Sequence, residues 1–354
     1  MQIEKKVIAR LNQCYSLGRL TYGGRPCFLV AAEKDDPCLL FSEEGELLDT
    51  VWQAPGGTMT VAPLPGREGA FLATRKFYSP DDSKEASIIL AQPGAQGGWE
   101  IRKLCDAPFV HRFGILERGG VRYLIVCCLK SGHEHEGDWR FPGACYGAVL
   151  PDDLSAYDAD HQLPLTLLKD GLLKNHGFSI FRDGEGESAI VGCEAGTLRF
   201  TPPAAPGGEW EIRQLLAVPT SDAVLMDFDG DGQPELGLIS PFHGSSLTVW
   251  HLDGDGNYVP QWKCPLPEKD TEMLHATWAC TLLGKPTWLV GWRKGTRDTV
   301  AVTWDPEAGD YVTAVIDRDV GCANIMHFTD QTGSDVVVAA NRETDEVALY
   351  RITK

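Results

Sequence analysis

Positive charge is scarce in this chain. Lys and Arg together number 32 against 50 Asp and Glu, giving a formal net charge of −18 over 354 residues. A field of that sign repels polyanions, which argues against nucleic acid or an anionic membrane as a general partner and leaves room only for a local basic pocket. No apolar run approaches the length needed to cross a bilayer. The opening "MQIEKKVIARLNQ" lacks the apolar stretch that follows the lysines of a secretory signal. C-x-x-C spacing is missing as well. The eleven cysteines sit mostly inside apolar runs such as "LIVCCLK" and "IVGCEAG". That is how reduced, buried thiols are used, so a cytoplasmic location is expected and a catalytic cysteine is a minor alternative.

Helical periodicity is nearly absent too. Short apolar strands alternate with Gly, Pro and Asp turns throughout, which marks an all-β chain. The pattern repeats. Seven copies begin near "YSLGRLTYGG", "GTMTVAPLPG", "VHRFGILERGG", "NHGFSIFRDGEG", "SDAVLMDFDGDG", "LHATWACTLLG" and "ANIMHFTDQTG". Each unit has about 50 residues, the size of a four-stranded propeller blade. The seventh copy stops early, and "KKVIARLN" at the start has no blade of its own, so it is expected to supply the missing outer strand and close the ring. The expected fold is a seven-bladed β-propeller, with blades near 12–54, 55–107, 108–170, 171–218, 219–267, 268–319 and 320–354 plus 1–11. An eight-bladed ring or a pair of β-sandwiches are the alternatives.

What is conspicuous is "DFDGDGQPELGL". Asp227, Asp229 and Asp231 alternate, followed by Gly232 and Glu235. Oxygen ligands at that spacing wrap a hard cation such as Ca²⁺, with the Gln233 carbonyl as a further ligand, and the glycine permits the sharp turn. An ordinary Asp-Gly turn without metal is the plain alternative. The flanks read as strands rather than helices. This blade resembles the FG-GAP or VCBS-type repeat, which implies a calcium loop at the first hairpin of a propeller blade. "FRDGEGESAIVG" and "FTDQTGSDVVVA" keep only part of that motif. The hairpin falls on the face opposite the starts of the inner strands, so its expected role is structural.

Aligning the inner-strand starts puts Ser16, Thr58, His111, His176, Asp222, His275 and Asn324 in one column. Such starts converge on the central channel. His111, His176 and His275 with Asp222 suit a borderline divalent ion such as Zn²⁺, Mn²⁺ or Fe²⁺, unless they are ordinary channel-lining polar groups. The ends of the second strands reach the same face and carry Lys34, Arg75, Lys130, Glu194, His243, Arg293, Asn341 and Arg342. A basic mouth of this kind attracts a small anion or stabilises an oxyanion, whereas a merely solvated loop face predicts Asp, Glu and Ser. The longest loop on this face, "SGHEHEGDWRFPGAC", adds His133, His135, Trp139 and Arg140, with Trp139 placed to stack on a sugar ring.

Imidazoles, one carboxylate and a cationic ring fit proton abstraction beside a carbonyl, followed by β-elimination from an oxidised sugar. In that scheme His243, His133 or His135 is the base, Arg75, Arg293, Arg342 and Lys130 neutralise the anion, and Lys34, Trp139, Arg140, Glu194 and Asn341 hold the substrate. The architecture and histidine pattern resemble the aldos-2-ulose and anhydrofructose dehydratase group and the propeller polysaccharide lyases, which implies the same reaction class. A non-catalytic sugar- or protein-binding platform is the competing reading. A hydrolase using Asp222 with Glu194 or Glu134 is a third.

Overall fold

The second strand of each repeat is apolar almost without interruption because both of its faces are covered. Phe28 to Ala32, Leu124 to Cys127 and Val336 to Ala340 are all fully buried. In the computed structural model, which describes residues 1–354, the strands form seven four-stranded antiparallel sheets set around a ring, so each sheet is sandwiched between two others. The innermost strands are Cys14–Tyr22, Val61–Pro63, Val110–Arg118, Gly177–Asp183, Asp222–Met226, Leu274–Leu282 and Cys322–Thr329. They begin blades 1 to 7. Blade 6 shows the full pattern: Leu274–Leu282, Lys285–Trp292, Thr299–Asp305 and Asp310–Asp317 pair in sequence order. A single bridge, Arg118 to Gly186, links the innermost strand of blade 3 to the start of the second strand of blade 4.

Blade 7 contains only three strands from the end of the chain. Its fourth is Gln2–Arg10, which pairs antiparallel with Glu346–Thr353 from Gln2↔Thr353 to Arg10↔Glu346. Closure by the first strand, as the sequence implies, leaves the seventh sheet as complete as the others and removes an exposed edge. Lys5 fixes the closure with ion pairs to Asp317 at 2.7 Å and Glu346 at 3.0 Å.

Neighbouring blades interlock by laying a ring of one sheet on a glycine of the next. Phe178 of blade 4 lies where a Cβ on Gly114 of blade 3 would sit 2.4 Å from its ring, and Trp288 of blade 6 lies 3.0 Å from the same position on Gly237 of blade 5. Side chains at these two glycines would force the sheets apart. All eleven cysteines are unpaired and buried. Burial pushes the thiols of Cys105, Cys280 and Cys322 up to about 12, so they act as small hydrophobes rather than nucleophiles. No helix is long and apolar enough to cross a membrane.

Candidate active site at the channel mouth

A recurring backbone device builds this face. In six of the seven blades a residue with positive φ stands just before the inner strand: Gln13, Gly57, Phe109, Lys174, Met273 and Gly321, with φ between 50° and 65°. Two residues later the chain presents Tyr15, Met59, His111, His176, His275 and Ala323. In blades 1, 3, 6 and 7 the register slips at this point, between Cys14 and Ser16, Val110 and Arg112, Leu274 and Ala276, and Cys322 and Asn324. A β-bulge re-aims the extra residue. The bulged residues are therefore Tyr15, His111, His275 and Ala323.

This corrects the aligned column in three blades. Ser16 is replaced by Tyr15, Thr58 by Met59, and Asn324 by Ala323. Ser16 instead donates to the Thr58 carbonyl at 2.6 Å, and Asn324 accepts from Arg112 at 2.9 Å. Thr58 is buried against the backbone of its own blade.

His111, His176, His275 and Asp222 do meet, and His243 joins them. His243 lies in the loop between the second and third strands of blade 5, in the left-handed region at φ +49°. Its Nε2 is 3.2 Å from Nε2 of His176, and its backbone N–H donates to Ser221 Oγ at 3.2 Å. Ser221 donates in turn to Asp222 at 2.8 Å, whose Oδ2 lies 3.0 Å from His176 Nδ1. His275 Nδ1 lies 2.7 Å from the Ala323 carbonyl. The Tyr15 hydroxyl sits 3.1 Å from His275 Nε2 and 3.3 Å from His111 Nε2.

These partners assign the tautomers. A carboxylate and a carbonyl accept only, so His176 and His275 carry their protons on Nδ1 and turn Nε2 lone pairs inward. Tyr15 then donates to His275 and accepts from Nε2–H of His111, which leaves His111 Nδ1, buried and without a partner, holding a free lone pair. His176, His243 and His275 offer nitrogens all within 4.8 Å of one another. Ligands of a tetrahedral ion with bonds of about 2.0–2.1 Å stand roughly 3.3 Å apart. The donor set, with outer partners already orienting two of its imidazoles, fits a borderline divalent cation. Asp222 has the geometry of an orienter of His176 rather than of a fourth ligand.

Burial and the neighbouring His176 hold His111, His243 and His275 well below the usual histidine range, so all three are neutral near pH 7. Burial pushes the Asp222 carboxyl up, but His176, Arg112 and Ser221 outweigh it and hold it below its ordinary value. Phe242 stacks on His243 with ring centres 4.0 Å apart and meets Trp139 edge-on at 5.3 Å. The two rings roof the cluster. His243 is its one member that reaches solvent appreciably.

The cationic mouth is not a ring of free charges. Arg293 and Arg342 both bind Glu343, at 2.7 and 3.0 Å, and Arg342 also binds Glu33. Lys130 is fully buried, paired with Asp81 and bonded to the Asp138 carbonyl at 3.1 Å. Lys174 pairs with Glu194 at 3.2 Å. Asn341 is fully buried and donates to Tyr350, so it faces the blade interior rather than a ligand. Arg75 lies over the Trp52 ring at 4.9 Å, and Lys34 lines a separate cavity of about 330 Å³ with Tyr78 and Asp82. In the long loop, Arg140 grips Asp138 at 2.7 Å and Glu134 at 2.6 Å, an internal brace. His133 packs edge-on to Phe109, and His135 Nδ1 meets the Glu136 carbonyl at 3.0 Å. Neither shares the contacts that join the four clustered histidines. Three of these pairings join different blades, Glu33 to Arg342, Glu343 to Arg293 and Asp81 to Lys130, which sequence order hides.

The acidic loop lies at the other end of the first strand of blade 5. Met226 pairs with Glu235 there, whereas Asp222 pairs with Ile239 at the histidine end, about 13 Å of extended chain away. Asp227 accepts from Gly230 and Gly232 N–H at 2.7 and 3.0 Å, as in an Asx turn. Asp227, Asp229 and Asp231 bring carboxylate oxygens within 4.8 Å of one another, a set that fits a hard cation. His251, from the third strand, also enters the loop, with Nδ1 3.0 Å from Glu235 Oε1.

No protein-family model and no curated protein sequence matches the chain. Solved structures do share its fold. The β-propeller domain of Myceliophteria thermophila Cps50 (Swd1) is 9% identical with a TM-score of 0.61, over 99% of this chain and 100% of that one. Saccharomyces cerevisiae Sqt1 is 10% identical with a TM-score of 0.54, over 100% and 99%. A glucose dehydrogenase is 12% identical with a TM-score of 0.51, over 99% of both chains. At such identities the likeness is one of fold alone.

Proposed function

We propose that the channel mouth is the active site of a metal-assisted lyase that carries out β-elimination on an oxidised sugar, a keto or uronic acid derivative. The observation that carries the reading is the inward aim of the His176 and His275 Nε2 lone pairs beside His243, with both Nδ1 protons committed outward. A zinc, manganese or iron ion on these three residues would polarise a substrate carbonyl or carboxylate.

The other groups divide the proton transfers. His111 is neutral and has a free Nδ1 lone pair, which makes it the base for the proton next to the carbonyl. As that C–H bond breaks, its electron pair forms the C=C bond and the β C–O bond breaks. Tyr15 supplies the proton to the leaving oxygen; a cation held by the His275 lone pair would leave the hydroxyl proton free to face substrate. Asp222 holds His176 in the required tautomer, and Trp139 and Phe242 give the sugar an apolar wall. Thus His243 moves from base to ligand and His111 from ligand to base relative to the sequence expectation. Eleven buried thiols fit the reducing cytoplasm proposed as its location.

One observation favours a non-catalytic platform instead: Arg293 and Arg342 at the mouth are already neutralised by Glu33 and Glu343. Elemental analysis of untagged protein, with and without His176→Ala, separates the two. Loss of about one equivalent of transition metal in the variant relative to the parent chain, together with a near-ultraviolet product from keto or uronic sugars, supports the lyase. Absence of both sinks it.

A further inference from the structure

The carboxylates of the blade 5 hairpin alone describe a turn or a calcium loop. What sets the hairpin apart is His251, which the third strand delivers into it. Its Nδ1 lies 3.0 Å from Glu235 Oε1 and 4.0 Å from Asp229 Oδ2, and its Nε2 is 3.6 Å from Asp231. One nitrogen and two carboxylate oxygens, from Asp229, Glu235 and His251, fall within 4.8 Å of one another. The 3.0 and 4.0 Å separations bracket the edge of roughly 3.3 Å expected between ligands of a tetrahedral ion of zinc type.

The ligands are held in place from behind. Glu235 is fully buried, and its other oxygen accepts from the Phe228 and Asp229 N–H groups at 2.6 and 3.3 Å, leaving Oε1 turned to the cluster. Gln261 donates to Asp229 at 3.3 Å and accepts from the Tyr311 hydroxyl at 3.2 Å, a two-step brace from blade 6. Outer partners of this kind orient metal ligands. Calcium takes six to eight oxygen ligands and has little use for an imidazole, whereas mixed imidazole and carboxylate sets suit zinc-class ions.

We propose that Asp229, Glu235 and His251 form a second metal site, on the face opposite the histidine cluster, which takes a zinc-class divalent ion and staples the first hairpin of blade 5 to its third strand. The site does not depend on the channel reading. Calorimetric titration of the chelator-stripped, untagged full chain with zinc tests it, using His176→Ala to silence the channel. In that background one saturable zinc site is expected, at least tenfold weaker after His251→Ala or Asp229→Asn, with circular dichroism confirming that each variant folds. Asp229→Asn serves should His251→Ala fail to fold. Zinc binding unchanged by both substitutions overturns the proposal. So does a loop that binds calcium, unaffected by His251→Ala, and no zinc.

Discussion

Asp222, on the first strand of blade 5, holds Nδ1 of His176, at the start of blade 4, at a distance of 3.0 Å, with both side chains nearly inaccessible to solvent. The pair couples two sheets and decides which imidazole nitrogen faces the channel. Asp222→Asn keeps the shape and one acceptor oxygen but removes the charge that fixes the tautomer. Metal affinity at the channel is expected to fall about 10–100-fold, the usual cost of losing an outer partner. Asp222→Ala is expected to cost about 1–3 kcal/mol of stability in addition, because it leaves the buried Nδ1–H of His176 without its acceptor. Metal titration and denaturant unfolding of the two variants separate these effects.

Tyr15 and His275 are joined at 3.1 Å although they are 260 residues apart in the chain. Tyr15→Phe leaves the ring packing intact and strips the partner from Nε2 of both His275 and His111. A loss of about 1–3 kcal/mol is expected from two buried nitrogens left unpaired. Urea unfolding of metal-free protein measures it. If Tyr15 delivers the proton to the leaving oxygen, turnover falls far more than substrate binding. A purely structural Tyr15 moves both through stability alone.

How far the sequence reveals this site depends on the backbone. Repeats of even length and the strand patterns disclose the propeller and its closure, since every blade must bury the same second strand. The histidine column is legible to within one residue. A bulge inserts one extra position in blades 1, 3, 6 and 7, which moves the channel residue from Ser16 to Tyr15 and from Asn324 to Ala323. The backbone mark, a positive φ two places earlier, leaves no trace in the sequence at Gln13, Phe109 and Met273, because none of them is glycine. His243 and His251 belong to a loop and a third strand, outside any column drawn on inner strands. The basic mouth misleads because the cations are legible strand by strand, whereas Glu33 and Glu343, the partners of Arg342 and Arg293, reach them from neighbouring blades.

Stability should fall on both sides of a near-neutral optimum in metal-free protein. His111, His243 and His275 have folded-state values depressed by burial and by His176. As pH drops through the unfolded value near 6.5, the unfolded chain binds up to three protons that the folded chain refuses, so stability falls by up to about 4 kcal/mol per pH unit. His251 acts in the opposite sense. Burial alone would lower it, but its bond to Glu235 and the charges of Glu235, Asp231 and Asp229 raise it. Its contribution is complete below the unfolded value and disappears as pH rises through the folded one. Unfolding free energies measured from pH 5 to 9 are expected to lose their alkaline decline in His251→Ala and to keep the acid one. An acid limb equally steep after His111→Phe sinks this assignment.

The closing strand offers a sharper test of the ring itself. Gln2–Arg10 pairs along the whole of Glu346–Thr353, packs Ile3 and Ile8 against buried clusters, and fixes Lys5 to Asp317 and Glu346. Without it, the strand Glu346–Thr353 presents an unpaired edge next to a second strand that is apolar from Val336 to Ala340, an arrangement prone to pairing with another chain. Deleting residues 1–10 is expected to lower the melting temperature, broaden the transition and produce oligomers visible by light scattering. A synthetic peptide of residues 1–11 added in trans should restore the monomer and the sharp transition, since it returns the same hydrogen bonds at the cost of one association step. If the truncated chain stays monomeric with an unchanged melting temperature, the first strand is an ornament and the ring is held by blade-to-blade packing alone.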